Sequence, residues 1–211
     1  MRYSEMKAHE NERYWRMARL EAEANGTSDR RAPRWLVPLA LVVLGVILAA
    51  CSSPSYRAPD APRMTTNGPV DLERYQGLWY EIARFPNRFE EGCTGVTAEY
   101  TLTPDGSVRV VNTCRQGALD GPVEIAEGVA TSNSAENDKL LVTFVPWLPF
   151  AKGDYWILDT DYEVAVIGAP SGSTGWVLAR TPSLPPQRLA RAFQVLERAG
   201  YDLERITMTQ Q

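Results

Sequence analysis

The sequence predicts an all-β domain, an eight-stranded antiparallel up-and-down β-barrel with a C-terminal α-helix packed outside. Three observations support this prediction. Runs of alternating apolar and polar residues recur from Tyr75 onward, at the spacing of roughly 8–12 residues typical of sandwiches and barrels. Turn residues such as Pro104-Asp105-Gly106 separate neighbouring runs. A single helical pattern follows the last run.

The predicted strands are short, and turn residues bound them. They are Trp79–Phe85, Val96–Leu102, Ser107–Cys114, Val123–Thr131, Lys139–Val145, Asp154–Asp159, Glu163–Gly168 and Thr174–Arg180. The helix is expected to begin at Pro185-Pro186, because proline is tolerated in a first helical turn, and to stop at Gly200. Its apolar face would pack on the barrel and consists of Leu189, Ala192, Phe193, Leu196 and Ala199.

Residues 1–50 are predicted to be an N-terminal extension and a lipoprotein signal peptide. Trp35–Ala50 contains no charge but is shorter than the about 20 residues of a membrane-spanning helix. It ends in Leu48-Ala49-Ala50-Cys51, which resembles a bacterial lipobox. This predicts cleavage before Cys51 and attachment there of a diacylglyceryl group and a further acyl chain such as palmitate. The alternative is an uncleaved transmembrane helix with a chance cysteine.

Residues 51–70 are predicted to be the lipidated Cys51 and a flexible tether, because Ser52 to Pro69 is rich in Pro, Ser and Ala. By resemblance to other bacterial lipoproteins, the serines after Cys51 favour the outer membrane. The expected location is the cell outer membrane, lipid-anchored on its periplasmic face. The long, glutamate-containing stretch before the apolar segment leaves Met17 as an alternative start. Arg30-Arg31 leaves Sec and twin-arginine export both open.

Charge and histidine content exclude several function classes. Residues 52–211 carry 14 Lys/Arg and 20 Asp/Glu without basic runs, which argues against nucleic acid as a partner. The only histidine, His9, lies before the predicted cleavage site. This excludes histidine-based triads and histidine zinc sites from the remainder of the chain. We expect no metal, no cofactor and no catalytic residue.

Cys93 and Cys114 fall at the start of the second and the end of the third predicted strand. Around the intervening turn they come nearly opposite each other at one end of the barrel. The sequence therefore predicts a disulfide, which a periplasmic location permits; a pair of free thiols is the alternative.

Three motifs carry a family resemblance. Gly77-Leu78-Trp79, Thr160-Asp161-Tyr162, and Arg180 after the eighth strand resemble the three signature regions of lipocalins, members of the calycin group. The stretch WYEIARFPNRFEEGCTGVTAEYTL, from Trp79, is especially similar to bacterial outer-membrane lipoprotein lipocalins and their apolipoprotein-D-like relatives. The resemblance extends over about Val70 to Gln211 and implies that residues 71–211 form the lipocalin domain.

Up-and-down topology places these three motifs at one end of the barrel, because successive turns alternate between its two ends. Trp79 is then expected to close that end with Arg180 across its indole face, and Gly77 to let the incoming chain pass close by. The alternative is that Trp79 and Arg180 belong to a substrate site.

Alternation along the strands also predicts the residues that line the interior. They are Ala83, Val96, Ala98, Tyr100, Leu140, Val142, Phe144, Tyr155, Ile157, Trp176 and Leu178. This mostly apolar lining suits an acyl chain with its polar head at the mouth; a packed, empty barrel is the alternative. Glu81 points to the same side as Trp79 and is expected to meet a tyrosine or a backbone group rather than to act in catalysis.

The resemblance implies a carrier that stores or transports fatty acids or lysophospholipids for membrane maintenance. Two other function classes stay open: a lipocalin-fold enzyme that acts on a lipid, and an interaction lipoprotein with an occluded barrel. The apolar loop Trp147-Leu148-Pro149-Phe150 predicts a contact with a membrane, with a second copy in a homodimer, or with the barrel mouth itself.

Overall fold

The computed structural model describes residues 54–145 and 152–211, which contain one closed antiparallel barrel. The strands are β1 (Gly77–Arg84), β2 (Cys93–Leu102), β3 (Val108–Gln116), β4 (Val123–Ser132), β5 (Lys139–Thr143), β6 (Gly153–Thr160), β7 (Val164–Gly168), β8 (Gly175–Ala179) and β9 (Thr207–Met208). Each of β1 to β8 pairs with its neighbour in the chain, and β8 pairs back with β1. The predicted eight-stranded up-and-down barrel is therefore confirmed.

The described residues also form two α-helices and two 3-10 turns: α1 (Leu72–Tyr75), α2 (Pro186–Arg198), Arg88–Glu90 and Leu203–Arg205. Helix α2 packs outside the barrel through Ala192, Val195 and Leu196, as its apolar face predicts. Within residues 54–145 and 152–211, no helix combines the length and the apolar character needed to cross a membrane. The sequence patterns did not predict α1, the 3-10 turns or β9.

The barrel has two different ends because its loops alternate between them. At the closed end lie α1, the turns at residues 103–107, 133–138 and 161–163, and Arg180. At the open end lie the loops at residues 85–92, 117–122 and 169–174. The apolar loop 147–150 lies outside the described residues.

A stack of Arg180 on Trp79 seals the closed end. The Arg180 Cζ lies 3.9 Å from the centre of the Trp79 ring, and Trp79 is fully buried. The guanidinium donates hydrogen bonds to five backbone carbonyls, those of Arg74, Tyr75, Gln76, Leu78 and Tyr162, at 2.8–3.2 Å. One side chain thereby ties α1, the start of β1 and the β6–β7 turn together, which confirms the predicted convergence of the three motifs.

Gly77 allows this close approach. Its φ is +94°, a left-handed conformation, and a Cβ at this position would lie 3.4 Å from the Arg180 Nη1. In the β6–β7 turn, Asp161 Oδ1 accepts hydrogen bonds from the amides of Glu163 and Val164. This Asx-type turn presents the Tyr162 carbonyl to Arg180.

A β-bulge in β1 reverses the alternation of its side chains. The pairing of β1 with β8 shifts between Glu81 and Ala83, so Ala83 lies opposite Val177 on the outer face and Arg84 opposite Trp176 on the inner face. The prediction that Ala83 lines the interior is therefore wrong. The reason is the extra residue that a bulge inserts, which strict period-2 alternation does not allow for.

The C-terminal segment fills a gap between β1 and β2. These strands pair only from Gly77 to Tyr80, and farther up β9 pairs with β1 instead. The Gly95 amide donates to the Gln210 carbonyl at 2.7 Å, and the Gln211 Nε2 donates to the carbonyls of Glu81 and Val96 at 2.7 and 2.8 Å. Closure of the upper half of the barrel thus depends on residues 207–211.

Residues 55–70 pack along the outside of the barrel, whereas their composition predicts a flexible tether. Tyr56 and Met64 are buried in the same cluster as α2. Farther along, the Asn67 amide donates to the Leu158 carbonyl at 3.0 Å and the Val70 amide to the Glu136 carbonyl at 2.8 Å. These contacts hold the segment on the barrel, although its composition is typical of a flexible linker.

We predict that Arg180→Lys lowers the free energy of unfolding by about 2 kcal/mol, because an ammonium cannot reach five carbonyls and leaves several partly buried acceptors without this donor. Urea unfolding followed by tryptophan fluorescence measures the change. Arg109→Lys is the matched control, since Arg109 forms only an exposed ion pair with Glu127, and it should change stability by less than about 0.5 kcal/mol. Equal effects of the two substitutions would contradict the role assigned to Arg180.

Candidate functional site

The lower half of the barrel interior is a packed floor. Ala98, Tyr100, Leu140, Ile157 and Leu178, all predicted to line the interior, do face it and are buried in one cluster with Trp79. Because these side chains pack against each other, the lower half has no space for a ligand such as an acyl chain.

The upper half of the interior is lined by side chains that are less buried than those of the floor. Val142, Tyr155 and Trp176 face inward and are only half-buried, above the packed floor. Phe144 lies at the top of this wall, and its ring packs against Gly128. A Cβ at position 128 would lie only 2.8 Å from the Phe144 ring. Val96 packs on the Cys93–Cys114 disulfide at the rim. The structure thus divides the predicted lining into a floor and an open upper wall.

Two further wall residues, Asn112 and Ala126, were not predicted. Strand register places them opposite each other on the inner faces of β3 and β4, one step above the pair Val110 and Gly128. Ala126 is exposed, and within the described residues the Asn112 Oδ1 is buried without a hydrogen-bond partner. Alternation from Val110 would have identified Asn112, but its polarity argued against an inward position.

Three tyrosine hydroxyls form a hydrogen-bonded chain at the boundary between the floor and the upper wall. The Tyr155 hydroxyl lies 2.9 Å from that of Tyr75 and 2.9 Å from that of Tyr100. Burial raises the pKa of all three phenols well above the ordinary value. They therefore stay protonated at neutral pH, and their hydroxyl groups satisfy one another within the barrel.

A charged cluster lies inside the barrel below the mouth. The Arg84 Nη1 donates to Glu81 Oε1 at 2.6 Å, and its Nη2 donates to the carbonyls of Glu90 and Cys93 at 3.1 Å. Thr209 donates to the same Glu81 oxygen. Glu81 thus meets Arg84 and Thr209 rather than the tyrosine or backbone group that was predicted. The bulge that turns Arg84 inward explains the difference.

Glu90 brings a second carboxylate to this cluster. The Trp176 Nε1 donates to Glu90 Oε2 at 3.2 Å, and the Arg84 Nε lies 4.0 Å from the same oxygen. Burial first, and then the charge of Glu90, raises the pKa of Glu81 from 4.5 to about 8. At neutral pH the Glu81 carboxyl therefore keeps its proton.

The Cys93–Cys114 disulfide, predicted from the sequence, joins β2 to β3 at the open end with its Cα atoms 5.4 Å apart. It closes a loop with a sequence separation of 21 residues. A crosslink of this length stabilises a fold by about 3 kcal/mol in the chain-entropy description. The disulfide therefore fixes β2 to β3 at the open end of the barrel.

We predict that the free energy of unfolding falls by at least about 1 kcal/mol between pH 5 and pH 8. The native state keeps a proton on Glu81 up to about pH 8, whereas an unfolded chain releases it near 4.5. The native state therefore binds more protons within this window, and its advantage is lost as pH rises. No histidine titrates there between residues 52 and 211.

We expect Glu81→Gln to abolish most of this fall in the free energy of unfolding with pH. Urea unfolding at about pH 5, 6.5 and 8, which lie roughly between the pKa values of Glu81 in the unfolded and the native state, measures it. Glu99→Gln, on an exposed position of β2, is the control and should leave the slope unchanged. A slope that survives in Glu81→Gln would show that another group is responsible.

Comparison with known proteins agrees with this geometry. Residues 70–211 match the family model described as a lipocalin-like domain. The chain is 36% identical over 180 residues to the outer membrane lipoprotein Blc of Escherichia coli, covering 83% of this chain and 97% of the relative. It is 32% identical over 187 residues to apolipoprotein D of Bos taurus, covering 83% and 96%.

Solved structures show the same fold at lower identity. Lobster apocrustacyanin A1 superimposes with a TM-score of 0.59 at 18% identity, covering 76% of this chain and 93% of that chain. Insecticyanin from the tobacco hornworm Manduca sexta gives a TM-score of 0.56 at 20% identity, covering 75% and 87%. The signature residues meet at the closed end, and the family model matches two thirds of the chain. The chain therefore belongs to the lipocalin family.

Proposed function

We propose that this protein binds a fatty acid or a lysophospholipid in the upper half of its barrel and stores or transports it for membrane maintenance. The observation that supports this best is the apolar wall above a packed floor, formed by the half-buried Val142 and Trp176 and the exposed Phe144. Apolar surface that stays wet in a monomer is unfavourable unless a ligand covers it. An acyl chain supplies such cover without needing specific polar contacts.

The depth of the open space limits how the ligand lies. Because Tyr100 and Tyr155 close the cavity from below, the acyl tail occupies only the upper half and the head group stays at the mouth. A lysophospholipid has this shape, with a polar head group at one end of a single acyl chain.

Binding rather than catalysis is favoured by the state of the charged cluster. Glu81 is the buried carboxyl with a pKa nearest to that of a general base, but its Oε1 already accepts hydrogen bonds from Arg84 and Thr209. Arg84 is bound to two carbonyls as well. These groups hold the upper barrel together, and neither one is free to approach a ligand.

Anchoring through Cys51 is the second part of the proposal. Cys51 lies outside the described residues, so support comes from the sequence Leu48-Ala49-Ala50-Cys51 and from a relative that is named as an outer membrane lipoprotein. We propose acylation of Cys51 and location on the periplasmic face of the outer membrane. The homodimer suggested by the apolar loop stays a prediction.

Filling the cavity should block ligand binding. We predict that Ala126→Trp weakens binding of a fluorescent fatty acid by about tenfold or more, since the indole occupies the space of the tail. Ile125→Trp is the matched control, because Ile125 points outward from the next position of the same strand. Displacement of the probe by lysophosphatidylcholine measures both variants. Unchanged affinity in Ala126→Trp, or no saturable binding by the parent protein, would refute the cavity.

Intact-mass analysis of protein purified from membranes tests the anchor. We predict a chain that begins at Cys51 and carries the mass of a diacylglyceryl group and one further acyl chain. Cys51→Ser should abolish the added mass and release the protein into the soluble fraction, because several acyl chains are needed for firm anchoring. A chain with an intact N-terminal extension and no added mass would contradict the proposal.

A further inference from the structure

We propose that the short connection from Cys51 holds the open end of the barrel against the lipid bilayer, so that ligand passes directly between membrane and cavity. The inference rests on the proposed acylation of Cys51. It adds the orientation of the barrel and names the bilayer surface as the partner of the open end.

The described chain starts at the open end. The Tyr56 amide donates to the Gly172 carbonyl at 2.7 Å in the β7–β8 loop, and the Tyr56 hydroxyl donates to the Pro86 carbonyl in the β1–β2 loop. The Ser55 carbonyl accepts a hydrogen bond from Arg205 at 2.9 Å. From here residues 57–70 run toward the closed end, where Asp71 meets Tyr162.

Residues 56 and 57 are fixed in this position. The Tyr56 ring packs 5.0 Å from that of Phe85, and the Arg205 Cζ lies 4.3 Å from its centre. Arg57 donates to the carbonyls of Ala199, Pro170 and Pro62 at 2.6–2.8 Å. Pulling this segment away would expose a buried ring and leave three acceptors unpaired, so the chain leaves the domain at the open end.

Four residue steps separate Cys51 from Ser55, which span about 14 Å at most when fully extended. Strands of the length found here, tilted as in an eight-stranded barrel, make the barrel roughly 20–25 Å tall. A lipid anchor at Cys51 therefore reaches the open end, whereas the closed end lies too far away to rest on the same surface.

The apolar side chains at the open end favour the same orientation. Phe89, Leu119 and Phe144, here called the apolar rim, lie around the mouth and are 86%, 40% and 41% exposed. Exposed carboxylates are found at both ends, for example Asp105 and Glu136 at the closed end and Glu91 and Asp120 at the open end, so charge does not distinguish the ends. Apolar side chains favour contact with the lipid interface. The apolar rim thereby selects a mouth-down orientation over one in which the barrel lies on its side.

Depth-dependent fluorescence quenching tests the orientation. Ala118→Cys at the open end and Ala135→Cys at the closed end form a matched pair, because both alanines are exposed in loops. With Cys51 acylated and Cys93–Cys114 bridged, the introduced thiol is the single site for an NBD label. The acylated proteins are placed in vesicles of phosphatidylethanolamine and phosphatidylglycerol that contain a doxyl-labelled lipid as quencher.

We expect the label at position 118 to be quenched about threefold or more over that at position 135. Equal quenching, or stronger quenching at position 135, would overturn the orientation. In a second variant, about 20 Gly/Ser residues inserted between Ser53 and Pro54 give the connection an r.m.s. length of about 25 Å. This insertion should reduce the contrast by half or more; an undiminished contrast would show that the short connection does not orient the barrel.

The intact mass of each sample separates this inference from the proposed function. Acylated protein with equal quenching at both positions overturns the orientation and leaves the anchor intact. Absence of acyl chains overturns both. Failure of the fluorescent fatty acid to bind removes the cavity proposal without affecting the quenching contrast.

Discussion

The contact between Arg180 and Trp79 is the constraint on which the rest of the barrel depends. An indole packed under a guanidinium would be a modest attraction by itself, on the order of 1 kcal/mol or more. Here the same guanidinium also satisfies the carbonyls that α1 and the β6–β7 turn would otherwise leave unpaired. Three segments distant in sequence are thereby fixed at one end, and within the described residues this end of the barrel is closed.

The interior is built in two layers with different chemistry. Around the closed end, aromatic and aliphatic side chains pack on one another, and three tyrosine hydroxyls satisfy each other. Above them, Trp176 links the apolar wall to Glu90, and Arg84 contacts both Glu81 and Glu90 behind it. With these groups on one side, the rest of the upper wall is apolar except for Asn112, which suits a ligand with one apolar tail.

The upper barrel is held by segments from outside the eight strands. Residues 207–211 supply the hydrogen bonds that β1 and β2 do not make with each other, and Thr209 contributes to the charged cluster. Residues 55–57 join the β7–β8 loop to the end of α2. The two ends of the described chain therefore both stabilise the mouth, the part of the barrel that a ligand must pass.

Local sequence patterns determined the strands, the outer helix, the disulfide and the convergence of Trp79 and Arg180, because alternation, turn residues and up-and-down topology follow from nearest neighbours in the chain. They also identified most of the inward side chains. Tertiary structure alone decided that Ala83 turns outward and Arg84 inward, since a bulge is set by pairing with β8. It alone decided that residues 55–70 pack on the barrel and that β9 fills the gap beside β1. These features depend on hydrogen-bond acceptors and apolar surface supplied by residues far away in sequence, which no local pattern records.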